Sequence, residues 1–133
     1  MNGRSNRLVR DVMQTDFVVM DGLATVQEGI DRMIERNIDS LFIRRRSDDD
    51  EHGIVVLADI AEKVLAGDRA PERVNLYEIM TKPMIWVDPQ MKIRYCARLF
   101  ANFGLQRAPV IEGREIIGLV TYREIVLRGL LSR

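Results

Sequence analysis

The sequence repeats itself, and this repeat limits the fold more than any other feature of the chain. Residues 12–21 (VMQTDFVVMD) match residues 79–88 (IMTKPMIWVD) at a shift of 67 positions. Residues 53–60 (GIVVLADI) match residues 118–125 (GLVTYREI) at a shift of 65. The two extra residues of the first copy fall in a polar loop, 46–52, where an insertion costs little free energy. We therefore expect two related units in one chain.

The predicted elements follow the same order in both copies: a short amphipathic helix, a strand, a longer helix, two strands and a closing helix. The predicted ranges in the first copy are helix 8–13, strand 17–20, a helix from Val26, strands 41–43 and 54–57, and helix 59–65. Those in the second copy are helix 76–80, strand 84–87, a helix from Ile93, strands 108–111 and 116–120, and helix 123–131. A unit of this size buries little core by itself. We therefore expect an α/β (α+β) fold in which two β-α-β-β-α repeats pack face to face with pseudo-twofold symmetry.

Local signals predict where the elements begin and end. Thr25 and Glu28 have the spacing of a capping box, and Gly104 lies where a left-handed helix end belongs. Residues 112–114 (EGR) predict a hairpin turn. Phe17 and Trp86 lie in apolar segments and are expected in the core. The predicted apolar faces of the two longer helices are Val26, Ile30, Met33 and Ile34, and Ile93, Ala97, Phe100 and Phe103.

The balance of charges argues against several classes of protein. The chain has 20 basic and 20 acidic residues, whereas binders of nucleic acids or membrane surfaces usually have a basic excess. No apolar run approaches the roughly 20 residues of a membrane span, and no secretory signal is visible. The single cysteine, Cys96, is expected to be a buried apolar residue without a disulfide. We therefore expect a cytoplasmic protein with neither nucleic-acid nor membrane partners.

No group of residues predicts catalysis. The spacing of histidine, cysteine and carboxylate residues fits neither a metal site nor a nucleophilic triad. The sole histidine, His52, follows a basic triplet and four acidic residues in a segment that predicts a solvated, partly mobile loop. We therefore expect a protein that is not an enzyme.

Three segments carry a family resemblance. They are residues 118–124 (GLVTYRE), 108–110 (APV) and 80–83 (MTKP), and each has a counterpart in the first copy. In these features the chain resembles the CBS-domain family, as a tandem pair (Bateman module) of the stand-alone prokaryotic type. The implied domains are a first CBS repeat at 8–66, a linker at 67–74 and a second CBS repeat at 75–131.

Proteins of this family bind adenosine-containing ligands in clefts between paired repeats, and their motif reads Gly-hydrophobic-x-Thr/Ser-x-x-Asp. The hydroxyl contacts a phosphate, the carboxylate binds the ribose hydroxyls, and the helix N-terminus favours an anion. The second copy has Thr121 but Glu124 in place of Asp. The first copy has Asp59 but Val56 in place of the hydroxyl. The resemblance thus implies two unequal sites, of which the Thr121/Glu124 site suits a phosphorylated nucleotide better.

The resemblance also implies further contacts for each site. For the Thr121/Glu124 site these are Arg107 and Arg123 near the phosphate, and Thr15, Phe17, Asp39, Ser40 and Leu41 near the adenine. For the Asp59 site they are Thr81, Lys82, Met84 and Ala108. Simpler interpretations remain open. Thr121 could be a helix cap, Glu124 an acid that favours the helix dipole, and Arg107 a solvated residue.

The leading hypothesis is a regulatory module that senses AMP, ADP, ATP or S-adenosylmethionine. It would signal through a homodimer to an unidentified partner protein, because no effector domain is attached, and helices 8–13 and 123–131 would offer apolar surface for that dimer. The alternative is a ligand-free scaffold for dimerisation or docking, which the motif departures at Val56 and Glu124 favour. An enzyme ranks last, and no cofactor other than an adenosyl ligand is expected.

Overall fold

The structure is a computed structural model that describes residues 6–82 and 85–130. The chain divides into two compact units that do not follow the order of the repeats. The first unit is Val18–Met84, and the second unit combines Met1–Phe17 with Ile85–Arg133. The segment that begins the first copy therefore belongs to the same unit as the body of the second copy. The segment that begins the second copy belongs to the same unit as the body of the first copy.

The described elements are those of a mixed α/β protein. They are α1 (Val9–Val12), β1 (Val19–Met20), α2 (Val26–Arg36), β2 (Ser40–Ile43), β3 (Gly53–Val56), α3 (Leu57–Ile60), α4 (Ile93–Phe103), β4 (Arg107–Glu112) and β5 (Glu115–Thr121). Shorter pieces are 3₁₀ turns at Pro71–Arg73 and Leu76–Glu78, and π-helical turns at Ala61–Leu65 and Glu124–Arg128. Each π-helical turn belongs to the closing helix of its unit. None of the helices within the described ranges is long and apolar enough to cross a membrane.

In the first unit, three strands form one sheet in the order β1-β2-β3. β1 runs parallel to β2, and β2 runs antiparallel to β3. The predicted capping box of α2 is confirmed, because the Glu28 N–H donates to the Thr25 hydroxyl at 3.1 Å and the Thr25 N–H donates to the Glu28 carboxylate at 3.0 Å. The buried core consists of Val18, Met20, Val26, Met33, Leu41, Ile43, Val55, Ile60, Val64, Val74, Leu76 and Ile79.

In the second unit, β4 and β5 form an antiparallel hairpin. The predicted turn is confirmed at Gly113 and Arg114, whose φ angles of 58° and 74° are those of a two-residue type I′ turn. Cys96 is fully buried, as predicted, and burial raises the pKa of its thiol to about 11. The buried core consists of Val9, Val87, Cys96, Phe100, Ala108, Val110, Val120 and Ile125.

The predicted strand 84–87 is wrong in its described part, where only Val87 makes a single parallel bridge to β4. In the first unit, the Phe42 N–H donates to the Val18 carbonyl and helps to hold β1 against β2. Pro109 occupies the position of Phe42 at the repeat shift of 67. Since proline has no N–H, the equivalent hydrogen bond cannot form and the strand is lost.

Other expectations also need correction. The predicted helix 76–80 is only the 3₁₀ turn Leu76–Glu78. Ile34 is 75% exposed, because the buried positions of α2 lie on a neighbouring stripe. Phe103 is 62% exposed at the last residue of α4, where the chain turns away at Gly104. Trp86, expected in the core, is 50% exposed next to the buried Val87.

We call residues 8–14 of the second unit and residues 75–81 of the first unit the lead segments, because each begins one copy of the repeat. Gln14 and Leu119 exchange two backbone hydrogen bonds of 2.8 and 2.9 Å. Thr81 and Ile54, their counterparts in the repeat, exchange two of 2.9 and 3.2 Å. Each lead segment is thereby paired to the last strand of its unit.

Two glycines permit this close approach. A Cβ atom at Gly118 would lie 2.5 Å from the Met13 sulfur and 3.1 Å from the Gln14 carbonyl oxygen. A Cβ atom at Gly53 would lie 2.7 Å from the Met80 sulfur. A side chain at Gly118 would press on the Gln14 backbone of the lead segment, whereas one at Gly53 would first meet the Met80 side chain.

A cation of each closing helix also holds the lead segment. Arg128 donates to the Val12 carbonyl at 3.0 Å in the second unit, and Lys63 donates to the Ile79 carbonyl at 2.9 Å in the first. Val9 and Val12 are fully buried, and Val9 is part of the core of the second unit. The expectation that helix 8–13 offers apolar surface for a dimer is therefore wrong.

We predict that Gly118→Ala destabilises the protein by about 1–3 kcal/mol, because its Cβ meets a backbone oxygen as well as the Met13 side chain. Gly67→Ala is the matched control, since its nearest atoms lie at 3.8 Å or more and the change should stay within about 0.5 kcal/mol. Urea unfolding followed by circular dichroism measures both. Equal midpoints for the two variants would contradict the close approach.

Candidate functional site

The strand-to-helix junction of the second unit brings together three of the predicted site residues. Thr121 ends β5 and Arg107 begins β4, and the two are directly opposite each other in the register of the hairpin. Side chains of such a pair lie on the same face of the sheet, about 5 Å apart at Cβ. Glu124 follows one turn later, in the closing helix. A hydroxyl and a carboxylate thus meet at one helix start, and the strand register places Arg107 beside Thr121.

The Glu124 carboxylate is 1% exposed and accepts hydrogen bonds from within its own unit. One oxygen accepts from both the N–H and the hydroxyl of Thr121, each at 2.7 Å, and the other accepts from the Gln14 side-chain amide. The Thr121 hydroxyl in turn accepts from the Arg123 N–H at 3.1 Å. These bonds are those of a helix cap. They fix the positions of both side chains before any ligand arrives.

Gln14 connects this junction to two more predicted residues. Thr15 follows Gln14 directly and is exposed, and Phe17 is half-buried. Both belong to the second unit, as do Thr121, Arg107 and the exposed Arg123. The Gln14–Glu124 hydrogen bond therefore joins the acidic group of the site to the lead segment.

The equivalent junction of the first unit has a different chemistry. Val56 ends β3 opposite Ser40, and its N–H donates to the Asp59 carboxylate at 2.9 Å. The other oxygen of Asp59 pairs with the Lys63 ammonium at 3.0 Å. Lys63 also donates to the Ile79 carbonyl of the lead segment. The junction of the first unit therefore has a carboxylate paired with an ammonium, where the second unit has Glu124, Thr121 and Arg107.

Two more predicted residues of the first unit lie where the lead segment ends. Thr81 is exposed and pairs with β3 through Ile54. Lys82 forms an ion pair with Asp50, whose carboxylate also accepts the Arg46 N–H at 2.9 Å. An open depression of about 530 Å³ lies beside this pair, lined by Arg46, Ser47, Asp49, Asp50 and Lys82.

The remaining predicted residues are distributed over both units. Asp39, Ser40 and Leu41 belong to the first unit, where Leu41 is 1% exposed and is part of the core. Ala108 belongs to the second unit and is also fully buried. Met84 lies outside the described residues. The ligand contacts assigned to these residues stay predictions.

The sequence interpretation missed the partners of three predicted site residues: Gln14 for Glu124, Lys63 for Asp59, and Asp50 for Lys82. Lys63 had a local signal, because it lies four residues after Asp59 on one helix face. The other two had none, since 110 and 32 residues separate the partners. Within the described parts of the chain, no group of three or more histidine, cysteine or acidic residues could hold a metal ion.

Comparison with solved structures identifies the fold. The hexameric CBS-CP12 protein from bloom-forming cyanobacteria is 34% identical, with a TM-score of 0.85 over 92% of this chain and 67% of that chain. The CBS domain pair of protein MJ0100, in complex with 5′-methylthioadenosine and S-adenosyl-L-methionine, is 24% identical, with a TM-score of 0.77 over 92% and 98% of the two chains. At the latter identity the likeness concerns the fold alone.

Comparison with curated sequences identifies the family. A homoserine O-acetyltransferase of Methanosalsum zhilinae is 31% identical over 123 residues, which are 91% of this chain but 24% of the enzyme. The chain spans 60% of a second relative, from Methanopyrus kandleri. The model of the CBS domain matches residues 9–66 and again residues 76–130. The chain therefore belongs to the CBS-domain family and carries two CBS domains.

Proposed function

We propose that this chain is a regulatory module that binds an adenosyl nucleotide at the strand-to-helix junction of the second unit. CBS-domain pairs are typically regulatory modules, and this chain carries two CBS domains. The observation that carries the proposal is the pairing of Arg107 with Thr121 beside Glu124. A cation and a hydroxyl at a helix start suit a phosphate, and a carboxylate one turn away suits a ribose diol.

The ligand would replace hydrogen bonds that the protein now makes internally. A carboxylate has about four acceptor positions, and three of those of Glu124 are taken by the N–H and hydroxyl of Thr121 and by the Gln14 amide. Two ribose hydroxyls would therefore displace one of the two side-chain donors, Thr121 or Gln14. Gln14 belongs to the lead segment that is paired to β5, so its displacement would alter the hold on residues 8–14, and this change would be the signal that a partner protein detects.

The ligand class follows from the two junctions. AMP, ADP, ATP and S-adenosylmethionine all contain the adenosine group, and the fold accommodates 5′-methylthioadenosine and S-adenosylmethionine in protein MJ0100. The second unit, with Arg107 and Thr121, would favour a phosphorylated member of this class. The first unit, with Val56 in the hydroxyl position, would favour a nucleoside without phosphate.

The signal would pass through a homodimer in the cytoplasm. The closing helix of the second unit carries an exposed apolar stripe of Tyr122, Val126, Leu127 and Leu130, each 40–55% exposed. A second copy of the chain would cover this stripe with its own, as expected for a twofold interface. Assembly of CBS proteins has a precedent in the hexameric CBS-CP12 protein.

A ligand-free scaffold is the second candidate function. It is favoured by the internal hydrogen bonds of both acidic groups, because Glu124 is held by Gln14 and Thr121 while Asp59 is held by Lys63. In that case the same exposed stripe would serve dimerisation or docking, without any nucleotide.

We predict that Thr121→Val weakens AMP about 10-fold, the effect of losing a hydrogen bond to a charged group of about 1.5 kcal/mol. Adenosine affinity should change less than about 2-fold, and Thr121→Ser should keep both affinities. Isothermal titration calorimetry with AMP, ADP, ATP, S-adenosylmethionine and adenosine provides the measurement.

The two candidate functions give different results in this experiment. Equal weakening of AMP and adenosine would assign Thr121 to the helix cap alone. No heat with any adenosyl ligand, from protein that circular dichroism shows to be folded, would reject nucleotide sensing and leave the scaffold.

We predict that Leu127→Glu weakens the homodimer more than about 10-fold, because a buried leucine contributes about 1.5–3 kcal/mol in each copy. The control is Ile34→Glu, which places the same charge on a residue that is 75% exposed on α2 and should leave the dimer intact. Sedimentation equilibrium gives both dissociation constants. A dimer that tolerates Leu127→Glu would place the interface elsewhere.

A further inference from the structure

The loop between β2 and β3, residues 44–52, presents one carboxylate in a fixed position. Asp50 accepts the Arg46 N–H at 2.9 Å, and the Arg45 N–H donates to the His52 ring at 3.3 Å. His52 is only 8% exposed, although most of the loop is exposed as its polar sequence predicts. Hydrogen bonds therefore join the beginning of the loop to its end, and one of them holds the Asp50 carboxylate.

The fixed carboxylate of Asp50 binds the ammonium of Lys82. The two side chains are only 22% and 26% exposed. The Lys82 ammonium, aided by the Arg46 N–H, lowers the pKa of Asp50 to about 2. Asp50 is therefore fully ionised at neutral pH and holds Lys82 through a charge-assisted hydrogen bond.

Among the described residues of the second unit, no ion pair occupies this position, and the lead segment there forms its ion pair through Arg10 and Glu112. Its two strands are joined by the short turn at Gly113 and Arg114 instead of a nine-residue loop. At the repeat shift of 67, Thr15 occupies the position of Lys82. The longer loop of the first copy thus supplies the carboxylate that binds Lys82, and the second copy lacks this lysine.

We propose that Asp50 is a specificity-determining residue that competes with ligand phosphate for Lys82, so that the first unit selects adenosyl ligands without phosphate. The proposal rests on the proposed function and on the ligand contact that the family resemblance implies for Lys82. A phosphate at Lys82 would have to share the ammonium with the Asp50 carboxylate, which repels it, or displace that carboxylate and leave its charge uncompensated. An uncharged nucleoside requires no such exchange. The missing hydroxyl at Val56 disfavours phosphate in the same unit.

The direct test uses inorganic pyrophosphate, with Asp50→Asn and the matched control Asp49→Asn. Both changes remove one negative charge from residues that line the same depression, but Asp50 is the one that binds Lys82. Pyrophosphate binding is followed by NMR at the Arg46 amide. Asp50→Asn should bind at least about 5-fold tighter than the unaltered protein, whereas Asp49→Asn should stay within about 2-fold. Lys82→Met should abolish the gain.

The same NMR signal, from the Arg46 amide, shows whether Asp50 also makes the first unit discriminate against nucleotides. In Asp50→Asn the affinity of the first unit for AMP should rise relative to adenosine by a similar factor. An unchanged ratio, or a pyrophosphate gain that survives Lys82→Met, would overturn the proposal. If no adenosyl ligand binds while the pyrophosphate gain appears and depends on Lys82, competition by Asp50 is supported and the proposed function is wrong.

The ion pair itself can be measured by titration. The carboxyl carbon of Asp50 should titrate near pH 2 instead of the ordinary 3.8. A lowered pKa means that the contact stabilises the fold fully above pH 3.8 and that this contribution is lost as the pH falls through about 2. Lys82→Met should raise the pKa of Asp50, while Lys63→Met, which affects Asp59 instead, should leave it unchanged. An unchanged pKa in Lys82→Met would remove the basis of the proposal.

Discussion

The pairing of each lead segment with the last strand of its unit is the constraint on which the rest of the structure depends. Two backbone hydrogen bonds join Gln14 to Leu119, and two join Thr81 to Ile54. A glycine lies next to each of these paired residues, and a methionine of the lead segment approaches it closely. Each repeat alone would lack the segment that covers one edge of its core. The two copies in one chain are therefore not independent domains, since each supplies the lead segment of the other's unit.

Much of the fold was predictable because its signals are local. The capping box at Thr25, the left-handed end at Gly104 and the two-residue turn at Gly113 each depend on a few neighbouring residues. The strand expected before Val87 failed for a reason that is not local. The neighbouring strand β4 contains Pro109, which lacks the N–H that its counterpart Phe42 donates to the Val18 carbonyl next to β1 in the first unit. The pattern of apolar residues in one segment does not show whether the neighbouring strand has the backbone N–H groups that pairing needs.

The site was predictable in its positions but not in its contacts. The repeat and the motif placed Thr121, Glu124, Val56 and Asp59 at equivalent strand-to-helix junctions, and the structure has them there. What each carboxylate binds depends on segments far away along the chain, as with Gln14 and Glu124. Spacing within a motif cannot predict such pairs, because they depend on how the lead segment and the loop return to the junction. The same limitation hid Asp50, which the sequence placed only within a run of acidic residues.

The divergence of the two copies is mainly a divergence of charge around one shared geometry. In the second unit, Arg107 stands opposite Thr121, so the junction has a cation and a donor for an anion. In the first unit, Ser40 stands opposite Val56, and the two lysines that border the junction and the lead segment are each neutralised by a carboxylate. Backbone geometry is retained in both, because the glycine, the paired strand and the cation on the lead segment all recur. A duplicated unit of this kind can therefore change what it binds without any change in fold, since the backbone pairing of the lead segment with the last strand recurs in both units while the side chains at the junction differ.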